Sequence, residues 1–409
     1  MLRPDGRGRL PPRPSQLSQA SRPRGRRRRG RRSPAGGSVK VLVVKLADIG
    51  DLLTTVPALK ALRAGLPAAE ITLLAPPHSA PVLEGSPWVD RIITFEKHRF
   101  DSPRALLSPR SWAELGRLAW RLRREGFDWV VIMHHLVTNW GVIKFALLSL
   151  AAAPRRLGLD DGRGWFLTHR IPDPGYGGVH EVECWLRLVG VLGVSPADRR
   201  IEVPISELDR AWARQALSGL AGHVPVAVAP GTGTFSPARR WPADRFAELA
   251  TRLADRFGAG VVLVGGPDNE PEAGVFRAHY RGPLVDLVGR TTIRQAAAVL
   301  AGCKLFLGND GGLMHLAAAV GTPVVAVFGP SNHRAWGPWR PDRPELARVV
   351  RTWLTLPCQP CLYVGNQLGR RWGCDSLACL ETIRVEDVLS VVESINILGR
   401  PAPAPPAGP

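Results

Sequence analysis

Residues 305–330 read LFLGNDGGLMHLAAAVGTPVVAVFGP and constrain the fold more than any other stretch of the chain. Two short apolar runs, Leu305–Leu307 and Val324–Phe328, enclose Gly308-Asn309-Asp310-Gly311-Gly312 and a helix-like run from Leu313 to Val320, closed by Gly321 and Pro323. Strand, glycine loop, helix and strand together make one crossover of a parallel α/β sheet. The glycines let a ligand reach the backbone. The helix that follows offers unpaired N–H groups at the positive end of its dipole. Such a loop is suited to hold a diphosphate.

The same alternation runs through two halves. In the first, Val39–Leu46 is an apolar run broken only by Lys40 and Lys45, and it reads as a buried parallel strand. Ala47-Asp48-Ile49-Gly50-Asp51 follows as a tight loop, then Leu52, Val56, Leu59 and Leu66 fall on one helical face. Pro57 sits near the start of that helix, where a missing N–H costs least. Ile71–Ala75, Ile92–Phe95 and Trp129–Met133 read as strands, and Trp112–Arg124 as an amphipathic helix. In the second half, strand Val226–Ala229 leads into Gly231-Thr232-Gly233-Thr234, and Phe246, Leu249 and Leu253 mark a helix. Strand Val261–Val264 and helix Thr291–Leu300 lead to the opening motif.

The expectation is an α/β protein with two doubly wound parallel sheets facing a cleft, ligands lying at the carboxyl ends of the strands. The boundaries read as a basic tail at 1–37, a first domain at 38–205, a second at 206–395 and a loose tail at 396–409, with Ser195–Asp209 as the connection. Neither half opens its first helix with G-x-G-x-x-G, so the dinucleotide fingerprint is absent.

Charge divides unevenly. Of the net +19, residues 1–39 supply +11, from twelve arginines and Asp5, which leaves +8 for the rest. The tail, with Arg26–Arg29 and Arg31–Arg32 among Pro, Gly and Ser, cannot bury a core and reads as disordered. It is taken as a solvated extension in preference to a nucleic-acid arm, and no nucleic acid partner is expected. The remaining positive charge suits an anionic substrate or surface. No apolar run reaches the roughly 18 residues of a membrane span, and the N-terminus lacks the apolar core of a signal peptide. A cytoplasmic protein with reduced cysteines is predicted.

Val41–Leu59, VLVVKLADIGDLLTTVPAL, resembles the N-terminal motif of the bacterial lipopolysaccharide heptosyltransferases, glycosyltransferase family 9. Gly308–Pro330 is similar to that family's nucleotide-sugar motif, and Arg239-Arg240-Trp241-Pro242 to its motif of a basic residue followed by Trp-Pro. The similarity extends from about Val39 to about Ser394. It implies a GT-B fold, inverting transfer of heptose from ADP-heptose to the lipopolysaccharide inner core (a lipid A-Kdo acceptor), and no required metal or other cofactor. Another donor or acceptor within the family is one alternative. A nucleotide-sugar epimerase of like architecture is another.

The resemblance gives the motif residues roles. Asp51 matches the catalytic aspartate and would be the general base, with Asp48 as a rival and helix N-terminal placement as the plainer alternative. Lys45 leaves the end of a buried strand and wants an anionic partner: Asp51, a donor phosphate or an acceptor carboxylate. Thr232, Thr234, Arg239, Gly311 and Gly312 would meet the diphosphate. Asp310 would accept from ribose or sugar hydroxyls, or cap the next helix. The family usually has lysine where Arg239 stands and threonine where Gly311 stands. His315, Trp336 and Trp339 read as packing residues. The acceptor would be an anionic lipid-linked sugar. His98, Arg99, Arg104, Arg110 and the Trp112–Arg124 helix suit it, or a peripheral contact with the inner face of the cytoplasmic membrane. Cys358, Cys361, Cys374 and Cys379 are candidates for a structural metal, with packed reduced thiols preferred, and Cys184 and Cys303 read as core.

Overall fold

Apolar runs with no polar interruption become central strands when helices cover both faces of a sheet. The structure is a computed structural model that describes residues 38–97 and 108–399. The basic tail, the segment holding His98, Arg99 and Arg104, and the residues after 399 lie outside the described residues.

The first half runs β1 (Lys40–Val44), α1 (Ile49–Leu53), α2 (Val56–Gly65), β2 (Glu70–Ala75), β3 (Arg91–Thr94) and α3 (Pro109–Glu125). It continues with β4 (Trp129–Ile132), α4 (Asn139–Ala152), β5 (Arg155–Asp160), β6 (His169–Pro172) and α5 (Glu181–Gly190). The second half begins with α6 (Glu207–Leu217), β7 (Val224–Ala229), α7 (Ala243–Phe257), β8 (Ala259–Leu263), α8 (Glu270–His279) and β9 (Leu284–Asp286). Then come α9 (Ile293–Ala301), β10 (Leu305–Asn309), α10 (Gly312–Ala319), β11 (Val324–Val327), α11 (His333–Trp336) and β12 (Ala347–Val350). A hairpin of β13 (Leu362–Val364) and β14 (Gln367–Gly369), then α12 (Ala378–Glu381) and α13 (Val385–Ile395), complete it.

Each half holds one six-stranded sheet, in the orders β3-β2-β1-β4-β5-β6 and β12-β11-β10-β7-β8-β9. All pairings within both are parallel, from Val41 opposite Ile71 and Trp129 in the first sheet to Leu307 opposite Val228 and Val325 in the second. Read from their own first strands, the two orders are the same. In each sheet the strand order reverses between the first and fourth strands, β1/β4 and β7/β10, and a crevice opens at such a switch point. The largest apolar core runs from Val41, Leu59 and Trp185 of the first half to Phe306, Met314 and Trp336 of the second without a break.

Two local expectations change. The helix expected across 52–66 is two helices. Pro57 has no N–H for the carbonyl of Leu53, and the hydroxyls of Thr54 and Thr55 donate to the carbonyls of Asp51 (2.7 Å) and Leu52 (2.6 Å). The expected connection Ser195–Asp209 ends in helix, because Ser206 caps α6 by accepting from the Asp209 N–H at 3.1 Å. Among the described residues no helix is long and apolar enough to cross a membrane.

Candidate active site

The motif residues gather at the two switch points. Lys45 follows β1, where its N–H continues the sheet to the Leu74 carbonyl at 3.0 Å. Its side chain is buried, and the ammonium lies 4.3 Å from the centre of the Trp185 ring and 3.8 Å from Asp51 Oδ1. Asp51 stands in the first turn of α1, and its side chain keeps 36 % of its surface open to the cleft. Burial raises its pKa, with Lys45 pulling the other way. Burial likewise lowers the pKa of Lys45, against the pull of Asp51 and then Glu181. Asp48, the rival base, pairs instead with His78 at 3.2 Å and Lys97 at 3.9 Å, and its side chain is more exposed than that of Asp51.

The aspartate is held in place by α5. The Trp185 indole N–H donates to Thr54 Oγ1 at 3.1 Å, and that hydroxyl donates to the Asp51 carbonyl. Two neighbouring histidines follow β4 with opposite states. The Leu46 N–H donates to His134 Nε2 at 2.7 Å, and burial keeps the His134 pKa well down. The buried His135 ring places Nδ1 2.8 Å from Asp173 and Nε2 3.1 Å from Glu181. Burial alone would lower its pKa, but the two carboxylates win and push it up to about 9.

On the facing wall, Trp241 anchors the loop after β7. Its backbone N–H donates to Asn309 Oδ1 at 2.9 Å and its indole to the Ile383 carbonyl at 3.0 Å. The two arginines before it diverge. Arg240 pairs with Glu272 and donates to Thr232 Oγ1, so the Thr232 hydroxyl is engaged and buried. Arg239 turns to the cleft, with Nη1 3.4 Å from Asp310. Thr234 lies exposed on the loop. Asp310 is buried and caps nothing: Gly311 is the N-cap of α10 and makes no side-chain cap bond. Gly311 and Gly312 present the start of α10 to the cleft.

The walls touch. A Cβ on Gly50 would stand 2.6 Å from His315 Cδ2 and 3.5 Å from the Gly312 Cα. Only a residue without a side chain lets the Asp51 loop approach α10 this closely. His315 is a packing residue: burial drives its pKa down to about 3, and it lies edge-on to Trp336. The hairpin of β13 and β14 reaches over from the second half. Tyr363 there, at φ 60°, lies against Tyr176 (5.2 Å), Trp336 (5.4 Å) and Phe235 (6.0 Å). The Tyr176 N–H donates to the Gly365 carbonyl at 2.8 Å and ties the hairpin to the loop after β6.

The four C-terminal cysteines line a single cavity of about 110 Å³ beside Pro330 and Leu356. All are free thiols, and among the described residues no three His, Cys, Asp or Glu side chains are arranged to hold a metal ion. The metal candidates thus share a cavity, with Cys379 in α12 packed toward the core. Cys184 and Cys303 are buried as expected.

Sequence reasoning missed His135, Asp173, Glu181 and Tyr363. Two histidines directly after a buried strand were the available signal for the first. The carboxylates join it only through the sheet, 38 and 46 residues away.

The family described as "Glycosyltransferase family 9 (heptosyltransferase)" matches residues 115–370. The chain is similar to lipopolysaccharide heptosyltransferase 2 of Escherichia coli K12, at 27 % identity over 333 residues, covering 76 % of this chain and 88 % of the relative. Its fold is similar to a crystal structure of a family 9 glycosyl transferase from Veillonella parvula, with TM-score 0.69, 22 % identity, and 87 % and 97 % of the two chains covered. It is also similar to the solved E. coli ADP-heptose lps heptosyltransferase II, with TM-score 0.66, 25 % identity, and 87 % and 98 % covered.

Proposed function

The chain belongs to glycosyltransferase family 9, and on that premise we propose that it moves a heptose from ADP-heptose to a hydroxyl of the lipopolysaccharide inner core, inverting the anomeric carbon. The observation that carries the reading is the apposition of the two walls. Asp51 and its buried lysine stand on one, Arg239 and the glycine start of α10 on the other, joined where Gly50 packs on His315 and Gly312.

An inverting transfer needs a base on one side of the anomeric carbon and charge stabilisation on the other. The acceptor oxygen gives its proton to the Asp51 carboxylate as it bonds to the anomeric carbon. The bond from that carbon to the diphosphate oxygen breaks, and its electron pair leaves with ADP. Arg239, the α10 N–H groups and the exposed Thr234 hydroxyl receive the charge that develops there. Arg239 Nη1 faces Asp310 and Nε faces the Ser236 carbonyl, and in this reading Nη2 takes a phosphate oxygen. With these donors the diphosphate needs no divalent ion. Asp310 and Thr232 complete the nucleotide-sugar wall, Asp310 by accepting from sugar hydroxyls and Thr232 by bracing Arg240. In this scheme residues 38–205 serve the acceptor and residues 206–395 the donor.

A lipid-linked anionic acceptor brings the reaction to the cytoplasmic face of a membrane. Helix α3 supports such a contact with Arg110, Arg117, Arg121, Arg123 and Arg124, and with Trp120 exposed. Beside it, α4 turns Ile143, Leu147 and Leu150 outward, spaced by four and three residues in one apolar stripe.

The test is incubation with ADP-heptose and a Kdo-containing lipid acceptor, followed by mass spectrometry. A gain of one heptose on the acceptor and release of ADP are expected. Transfer only from another nucleotide sugar would replace the donor. An epimerised nucleotide sugar formed without acceptor would replace the transferase reading itself.

A further inference from the structure

Five ionisable groups at the carboxyl ends of the first sheet alternate in sign: Asp173 after β6, His135 after β4, Glu181 at the start of α5, Lys45 after β1 and Asp51 in α1. All but Asp51 are buried. Two contacts join Asp173 to His135 to Glu181, at 2.8 and 3.1 Å, and one joins Lys45 to Asp51 at 3.8 Å. Glu181 links the two sets by position: it stands one turn before Trp185 on α5, and the Trp185 ring lies 4.3 Å from the Lys45 ammonium and 5.5 Å from the His135 ring.

The arrangement answers a difficulty in base catalysis. A fully buried ammonium is unfavourable without a counter-charge, and the Trp185 ring supplies only part of one. Asp51 pairs with Lys45 while it is a carboxylate, but as the base it must pass through a neutral carboxylic acid. Lys45 would then be stranded. Glu181 supplies a second counter-charge that does not change during the reaction. A second buried carboxylate needs its own cation, and His135 provides it. Asp173 in turn holds the His135 ring from the other side. Glu181 stands in the first turn of α5, at the positive end of the helix.

We infer that Glu181 and His135 are positioning residues for the transfer, which keep Lys45 charged and in place while Asp51 gains and loses the acceptor proton. The inference rests on Asp51 being the base. Besides the five groups themselves, Cys184, Lys97 and His134 face Lys45. Asp48, Lys97, Arg239, Tyr176 and Tyr363 face Asp51, and the Tyr176 ring lies tilted against His135 at 4.4 Å. Among the described residues the carboxylates that act on Lys45 are Asp51 and Glu181.

Glu181→Gln removes the charge and keeps the shape. Its kcat should fall by roughly ten- to a hundredfold, as for outer partners that orient a charged group, with the KM for ADP-heptose nearly unchanged. Both limbs of the pH–kcat profile should move to lower pH. The acid limb moves because Asp51 loses a negative neighbour and holds its proton less tightly. The alkaline limb moves because Lys45 loses a counter-charge and gives up its proton sooner. Glu181→Asp should restore both limbs toward wild type. A profile that shrinks in height with its limbs unmoved would mean a merely structural residue and overturn the inference. Nitrogen NMR of histidine-labelled wild-type protein tests it without substrate, His135→Gln identifying the signal. Both ring nitrogens of His135 should carry protons at pH 7.5, and a neutral His135 ring would overturn the inference. Failure to transfer heptose at all, with His135 charged, would instead defeat the proposed function and with it the role assigned to Glu181.

Discussion

The two walls of the cleft are built on the same strand order and do opposite things with charge. The first buries ions: lysine, imidazolium and two carboxylates lie behind Asp51, each matched by a neighbour. The second buries one loose pair, Arg239 with Asp310 at 3.4 Å, and otherwise offers glycine backbone and a helix start. Proton transfer and phosphate binding make these different demands. A base needs its proton affinity set by fixed charges in a place that excludes water. A diphosphate brings its own charge and needs donors and room. The same topology serves both because the chemistry is set by the residues just past the strand ends.

If this contrast is right, the two walls should fail in different ways. The largest effect is expected from Asp51→Asn, which should cut kcat by about a hundredfold or more while ADP affinity, read by calorimetry, stays near wild type. In the wild-type protein kcat should fall as the pH drops through the pKa of Asp51. Because burial raises that pKa, the fall should come at higher pH than for an exposed aspartate. Near-normal turnover in the variant would reduce Asp51 to a helix-end residue.

Gly50→Ala attacks the seam between the walls. The added methyl meets the His315 ring edge at 2.6 Å and must push it or the loop aside. A misplacement of this size is expected to lower kcat/KM by roughly ten- to a hundredfold, with thermal stability reduced much less in proportion. Unchanged kinetics would show that the walls need not touch for reaction. Arg239→Ala should act on binding and not on the proton: ADP affinity should weaken by about 1–3 kcal/mol, the scale of one charge-assisted contact. Calorimetry with unaltered affinity would remove Arg239 from the phosphate site. The smallest effect is expected from EDTA. The sequence contains no Asp-x-Asp, and the cationic and backbone donors already face the proposed diphosphate. Loss of turnover that magnesium restores would refute the metal-free scheme. Slow unfolding that zinc reverses would instead make the four cysteines of the C-terminal cavity a structural site.

Much of the architecture is legible in the amino-acid order. Runs such as Val41–Val44 and Val324–Val327 are strands because an uninterrupted valine-rich segment has nowhere to go but a covered parallel sheet. The glycines of 308–312 and Asp51 fall at loop-to-helix junctions for the same local reasons. Elements with a weaker local pattern escape such a reading: α4 is apolar all round, and β6, β9 and β12 are short strands at or near a sheet edge. The split between α1 and α2 escapes it too. The missing N–H of Pro57 is cheap at a helix start, but it also removes the i to i−4 donor for the Leu53 carbonyl, where α1 ends.

Sequence alone determined the alternation of strand and helix, the two glycine-bearing loops and the family resemblance, because each depends on neighbours within a few residues. Only the tertiary structure decided which charges meet. It chose Arg239 over Arg240 for the cleft and turned Asp48 toward His78 while Asp51 faces Lys45. It also joined His135 to Asp173 and Glu181 across the sheet. A charge acts over a few ångströms of low-dielectric space whatever the distance along the chain, so its partner is known only once the chain has folded.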